Sequence, residues 1–457
     1  GLQIFTEAAA PEVFVDIEVD PDSRIARVTG RFADAHRHVN PLNIIFKREV
    51  AGEPNLGARI SELKLTGRDG TPVGSRKLMD GEYLAVSDYA SWSYAADLTP
   101  AKDRAAAAHA SWLSESGGIL MLDDLLPHFQ SISANVTLEL PPGWTSISAD
   151  DTQGYDLQRS VIVIGKDLRT LSAKARHGEL TLQVSGEWHF TADEAAEMAR
   201  EIFDEYSQIL GKLPAKPYLI AIQRFPTNEP HGHWEAETRG RSVTILSSDM
   251  PFRTQSLQRL HEQLRHEIFH LWFPNGVKLS GDYAWFYEGF AMYSSLKLAV
   301  ELNRIRFDDF LDTLGRAYTI DANAKPRKAL TDPSIDPTVR YARGMLIAFI
   351  TDLDLLRNSG GRDDVNKKLK KLFARHSGTS AKTPANEAVR SIVASYLNVV
   401  DGGEPIEWTA ELAAAGIEAK RSGRTTTLTV VTKPNGRQRA ILDRLGYNNW
   451  RKIGNRK

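Results

Sequence analysis

His266-Glu267-Ile268-Phe269-His270, followed after seventeen intervening residues by Glu288, is the stretch on which the reading of this 457-residue chain turns. As a helix, it places His266 and His270 one turn apart, so both imidazoles leave the same face and can share one cation. Glu267 sits beside them, placed to hold a metal-bound water rather than the metal itself. Two imidazoles and a carboxylate oxygen from Glu288 form the three-ligand set that leaves a zinc ion one open position.

The surrounding residues favour a helix. Leu257, Leu260, Leu264, Ile268 and Leu271 recur at three- and four-residue steps, an apolar stripe turned away from the two histidines. Pro274-Asn275-Gly276 stops the helix. A second helix is expected from Asp282, an N-cap candidate, through Trp285, Glu288, Met292 and Leu296. The Gly-containing loop between them lets this helix fold back and bring Glu288 to the histidines. His261-Glu262 opens a similar pattern, but Arg265 stands where the second histidine would be, so it is a decoy.

With Trp285-Phe286-Tyr287-Glu288-Gly289-Phe290-Ala291, the pentapeptide resembles the gluzincin aminopeptidases, whose third-ligand segment reads W-x-x-E-G-F. Two of their families share these features, the aminopeptidase N family and the glycyl aminopeptidase family. Tyr341-Ala342-Arg343-Gly344, Asp352-Leu353-Asp354 and Asn358-Ser359-Gly360-Gly361 are closer to the glycyl aminopeptidase pattern. Arg343 replaces that family's lysine, and the gap to Glu288 is one residue short of the usual aminopeptidase N spacing. The similarity spans roughly residues 10 to 415, with strong motifs between 230 and 362.

The resemblance implies further site residues. Tyr341 would donate a hydrogen bond to the oxyanion of a tetrahedral intermediate. Gly232-His233-Trp234-Glu235 loosely matches the edge-strand segment whose final carboxylate binds the substrate's N-terminal ammonium. Glu235, or Glu237 two residues on, would then make an exopeptidase by pairing with a charged amine; each also reads as a solvated edge residue. His231 and His233 share a strand face, but the zinc set is complete without them.

Composition bounds the rest. With 42% hydrophobic residues, the chain can bury large cores and should hold two or three domains. Lys plus Arg (57) nearly balance Asp plus Glu (58), so the charge points to no nucleic acid and no membrane surface. No apolar run approaches an integral membrane segment. The absence of cysteine excludes disulfides and thiol catalysis. It suits a periplasmic or secreted protein, with the cytoplasm still open. The chain begins Gly1-Leu2-Gln3 without Met, which suits a removed signal peptide.

Along the chain, the alternation of Val13, Val15, Ile17 and Val19 reads as a half-buried strand. Similar runs recur at 42–46, 136–140, 161–164 and 180–184, and 101–109 reads as a loop or short helix. Thr191-Ala192-Asp193-Glu194 is a capping box before a helix; strands follow at 218–222 and 243–246. Helical periodicity returns at 305–316, 340–357, 363–375 and 386–398. Beyond 404 a helix at 406–417 and a strand at 425–432 are expected, then a solvated basic tail at 451–457.

The fold expected is α+β: an N-terminal β-sandwich domain (1–186), a thermolysin-like α/β plus helical metallopeptidase domain (187–403) and a short C-terminal segment (404–457) without a PDZ domain. The function expected is a zinc-dependent aminopeptidase with one Zn2+ per chain, held by His266, His270 and Glu288. Glu267 is the general base on a zinc-activated water, and the partner is a peptide or protein with a free N-terminus. A zinc endopeptidase with the same core and a non-catalytic peptide-binding scaffold are the alternatives.

Overall fold

Residues with alternating polarity form half-buried strands, and unbroken apolar runs form strands covered on both faces. Both kinds occur in the computed structural model, which describes residues 13–33, 42–128, 133–150, 155–156, 159–379 and 381–448. Gly1 to Gln3 and the basic residues of 451–457 lie outside the described residues. The chain forms two compact units. One is built from Gly1–Lys174, Gly178–Glu197 and Ala215–Arg259; the other from Ala175–His177, Met198–Pro214 and Leu260–Lys457.

In the first unit, β1 (Val13–Asp20) buries Val13, Val15, Ile17 and Val19 and turns Asp16, Glu18 and Asp20 outward. It lies in a seven-stranded sheet, pairing antiparallel with β2 (Ile25–Phe32) and parallel with Ser133–Glu139. A four-stranded sheet shares its core, where Ile17, Val28 and Trp92 meet Leu120, Ile162 and Ile164. The 101–109 stretch settles as a 3-10 helix, Arg104–Ala108, capped by the Asp103 carboxylate accepting from Ala105 N–H.

A five-stranded sheet completes this unit, in the order Arg169–Ala175, Gly178–Val184, Pro217–Arg224, Ser242–Ser247, Trp234–Arg239. Pro217–Arg224 is buried at every position but its ends, because it runs parallel between two neighbours. Label the edge strand Trp234–Arg239 β3. It is antiparallel to its neighbour, with Glu235 opposite Leu246 and Glu237 opposite Thr244. Every residue of β3 is half-buried.

Among the described residues, six long helices follow the predicted periodicity: α1 (Ala192–Leu210), α2 (Arg253–Phe269), α3 (Ala284–Glu301), α4 (Phe307–Asn323), α5 (Pro337–Ser359) and α6 (Val365–His376). The capping box of α1 forms in both directions, Thr191 N–H to Glu194 and Glu194 N–H to Thr191 Oγ. Asp336 caps α5, accepting from Thr338 and Val339 N–H, with Pro337 in the first turn.

Two expected helices are shorter. The 386–398 periodicity breaks after Arg390, and Tyr396 turns into the core, donating to Ile350 O and meeting Glu411. The 406–417 helix contracts to Thr409–Ala414, because Gly416 takes a left-handed φ of 67° and Ile417 starts a strand. Ile417–Ser422 and Thr425–Val430 then form a hairpin packed on α4, where Thr426 N–H donates to Thr319 Oγ1. No helix among the described residues is long and apolar enough to cross a membrane.

Candidate active site

All of the proposed metal-set residues lie in the second unit. His266 projects from the last turn of α2; His270 follows the helix end, its N–H bonded to Glu267 O in a tightened turn. Glu288 sits in the second turn of α3; the N-cap is Tyr283 rather than the expected Asp282, which stands one residue earlier and accepts from Ala284 N–H. Arg265, at the decoy position, staples the two helices: it is buried and its Nε donates to Ser295 O on α3 at 3.0 Å. Tyr206 from α1 adds a hydrogen bond to Arg265 O at 2.7 Å.

Three acceptor atoms converge. Glu288 Oε2 lies 3.1 Å from His266 Nε2 and 3.5 Å from His270 Nε2, and the two Nε2 atoms are 3.2 Å apart. His270 Nδ1 lies 2.8 Å from Phe273 O. Donating there leaves its Nε2 lone pair aimed at the cluster, the usual outer-shell orientation of a ligating imidazole. Three such atoms so close together are held by a shared positive charge, supplied by an imidazole proton or by a metal ion that replaces it. The donor set, its spacing and its orientation fit a zinc ion.

The same crowding appears in the ionisation of the groups. Burial alone would depress the His270 imidazole, but the Glu288 charge and hydrogen bond push it up to about 9. Burial would raise the Glu288 carboxyl, yet His270 and His266 hold it far below the usual carboxylate range. Side-chain exposure of 19% for His266 and 22% for Glu288 leaves the cluster reachable from solvent on one side.

Glu267 is buried beside the cluster, its Oε1 3.9 Å from His266 Nε2. His266, Glu267 and His270 offer donor atoms within 4.8 Å of one another, so two carboxylates compete as third ligand. Glu288 is the better choice because a single oxygen approaches both imidazoles. Tyr341, in the second turn of α5, has its phenol raised by burial and by the Glu288 charge. Tyr287 sets its ring edge-on to His270 at 5.9 Å.

Glu235 and Glu237 lie on one face of β3, in the first unit, with unequal partners. Glu237 is 2.9 Å from His109 Nδ1 and 2.9 Å from Arg239 Nη2. Burial raises its carboxyl, but the hydrogen bond with His109 and the Arg239 charge bring it below the ordinary range. Glu235 makes a longer contact, 3.5 Å to Arg104 Nε, and burial pushes its carboxyl up. Arg104 opens the 3-10 helix and His109 follows its end, about 130 positions from β3, and no spacing signal in the chain points to them. His233 pairs with Glu229 at 3.6 Å. His261 Nδ1 lies 2.5 Å from Arg265 Nη1, a structural pairing.

The fold has counterparts among solved structures. An aminopeptidase N family protein from Idiomarina loihiensis superposes with a TM-score of 0.74 at 15% identity, covering 89% of this chain and 79% of that one. The M1 zinc metallopeptidase from Deinococcus radiodurans, bound to a Tyr-Ser-Ala substrate, gives a TM-score of 0.56 at 15% identity over 87% of this chain and 96% of its own. The fold of the chain is therefore that of the aminopeptidase N family. In sequence, it is 32% identical to bovine glutamyl aminopeptidase over 117 residues; the match spans 25% of this chain and 12% of that relative. No family model matches the chain.

Proposed function

We propose that this protein is a zinc aminopeptidase, with residues 187–403 carrying the catalytic machinery, 1–186 a β-sandwich domain and 404–457 a short C-terminal segment. The convergence of His266, His270 and Glu288 on one point, with Glu267 buried beside it, carries the reading. One zinc ion held there supplies Lewis-acid polarisation of the scissile carbonyl and lowers the pKa of water.

The remaining work falls to the chain's own groups. Glu267 takes the proton from the attacking water and delivers it to the leaving amine, so the carboxylate is regenerated in each turnover. Tyr341 donates its hydroxyl hydrogen to the developing oxyanion. Glu235, less committed than Glu237, pairs with the free ammonium of the substrate. The substrate class is a peptide with a free N-terminus, and the Tyr-Ser-Ala peptide bound by the Deinococcus enzyme supports a peptide here.

The experiment is hydrolysis of matched free-amine and N-acetylated peptides, before and after dialysis against a zinc chelator. Chelator-sensitive cleavage of the free-amine series alone is expected. Equal cleavage of both series would favour an endopeptidase, and zinc binding without cleavage of either a binding scaffold.

A further inference from the structure

We propose that two contacts of α5, Gly344 against Gly289 and Arg343 against Asp321, set the position of Tyr341 relative to Glu288, which makes Gly344 and Arg343 positioning residues for the reaction. This rests on the oxyanion role given to Tyr341 above. The argument begins with the crossing of α3 and α5. Gly289 directly follows Glu288 on α3, and Gly344 lies one turn after Tyr341 on α5.

The two helices touch backbone to backbone there. A Cβ on Gly289 would fall 2.4 Å from the carbonyl carbon of Gly344. A Cβ on Gly344 would fall 2.4 Å from Trp285 O and 3.1 Å from Gly289 Cα. Packed helices are normally held about 8–10 Å apart by the side chains at their contact. Here no side chain intervenes, and the obstacles are main-chain atoms that no rotamer change can move aside. A single methyl at either glycine must push the helices apart, within one turn of both Glu288 and Tyr341.

The second contact fixes the helix about its axis. Arg343 is fully buried; its Nε donates to Asp321 Oδ1 at 2.6 Å and its Nη1 to Lys328 O. Asp321, on α4, is itself held by Arg327 Nη2 at 3.2 Å. A lysine could keep the charge but not the forked pair of hydrogen bonds. Tyr341, two residues earlier and on a different face, therefore inherits its direction from a residue that never meets substrate. The Glu288 charge already acts on the Tyr341 phenol, so the two groups are within electrostatic reach of each other.

The test is a pair of double-mutant cycles on the zinc-loaded full chain: Gly344→Ala with Tyr341→Phe, and Arg343→Lys with Tyr341→Phe. Each protein is assayed for kcat, KM, zinc content and thermal midpoint. Gly344→Ala should lower kcat about tenfold or more, leave KM within about threefold and keep its zinc. In the Tyr341→Phe background the same change should cost less than about threefold, because the group it misplaces is gone. Arg343→Lys should show the same non-additivity with a smaller loss, and it carries the test if Gly344→Ala does not fold. Full additivity in both cycles overturns the positioning role while leaving the aminopeptidase reading intact. Unchanged turnover in Tyr341→Phe alone overturns the role of Tyr341, and the positioning proposal with it.

Discussion

His266 and Glu288 are 22 positions apart in the chain, yet Nε2 of one and Oε2 of the other meet at 3.1 Å. Neither helix alone creates that contact. It depends on the fold-back after α2, on the Arg265 staple to Ser295, and on aromatic packing that sets Tyr287 edge-on to His270 with centroids 5.9 Å apart. The contact is worth forming only around a cation, and this motivates the first expectation.

Purified protein should contain one zinc per chain, and His266→Ala or Glu288→Ala should each lose it. Elemental analysis reads this directly. Full zinc in either variant would mean that the ion sits elsewhere.

Glu267 approaches the cluster without sharing an oxygen between the two imidazoles. Glu267→Gln should therefore keep zinc and thermal midpoint while turnover falls on the order of a thousandfold or more. A variant that retains most of its kcat would show that another group moves the proton.

The partners of Glu235 and Glu237 separate their expected phenotypes. Glu235→Ala should raise KM and lower kcat for free-amine peptides, with kcat/KM down at least roughly a hundredfold if a charge pair with the substrate is lost. N-acetylated peptides should be nearly indifferent to it. Glu237→Ala instead strands His109 and Arg239, whose side chain is only 10% exposed, so it should cost about 1–3 kcal/mol of stability. If Glu237→Ala produces the KM effect with an unchanged thermal midpoint, the two assignments are reversed.

His261 supplies a pH dependence. Its ring is buried, and burial together with the Arg265 and Arg304 charges lowers its pKa to about 4, against the partial support of Glu201. An unfolded histidine titrates near 6.5. Between those values the unfolded chain binds the extra proton, so stability falls as pH drops from about 6.5 to about 4 and changes no further through this group below that. The full loss is about 3 kcal/mol. His261→Gln should flatten that part of the profile relative to wild type, read from denaturant midpoints across the window. Parallel profiles would remove His261 as the cause.

Much of the site was legible because its chemistry is local. Two histidines one turn apart need only a helix, and the leucine stripe supplies it; Glu288 needed only a short loop and a second helix. The capping box at Thr191–Glu194 and the alternation of β1 are equally short-range, so propensity and period decide them. The lost stretches, 386–398 and 406–417, fail for the complementary reason. There, a buried hydrogen bond from Tyr396 and the left-handed turn at Gly416 outweigh helical periodicity.

What the sequence by itself determined is the order of β and helical regions and the pairing of His266 and His270 on one turn, with Glu267 between them and Glu288 on the next helix. Tertiary structure alone decided that His109 bonds to Glu237, 128 positions away, and leaves Glu235 less committed. It also decided that Arg265 ties α2 to α3, and that Gly289 and Gly344 meet backbone to backbone. These are contacts between residues far apart in the chain. Their energies depend on burial and on which charges share a low-dielectric space, and no pattern along the chain records either.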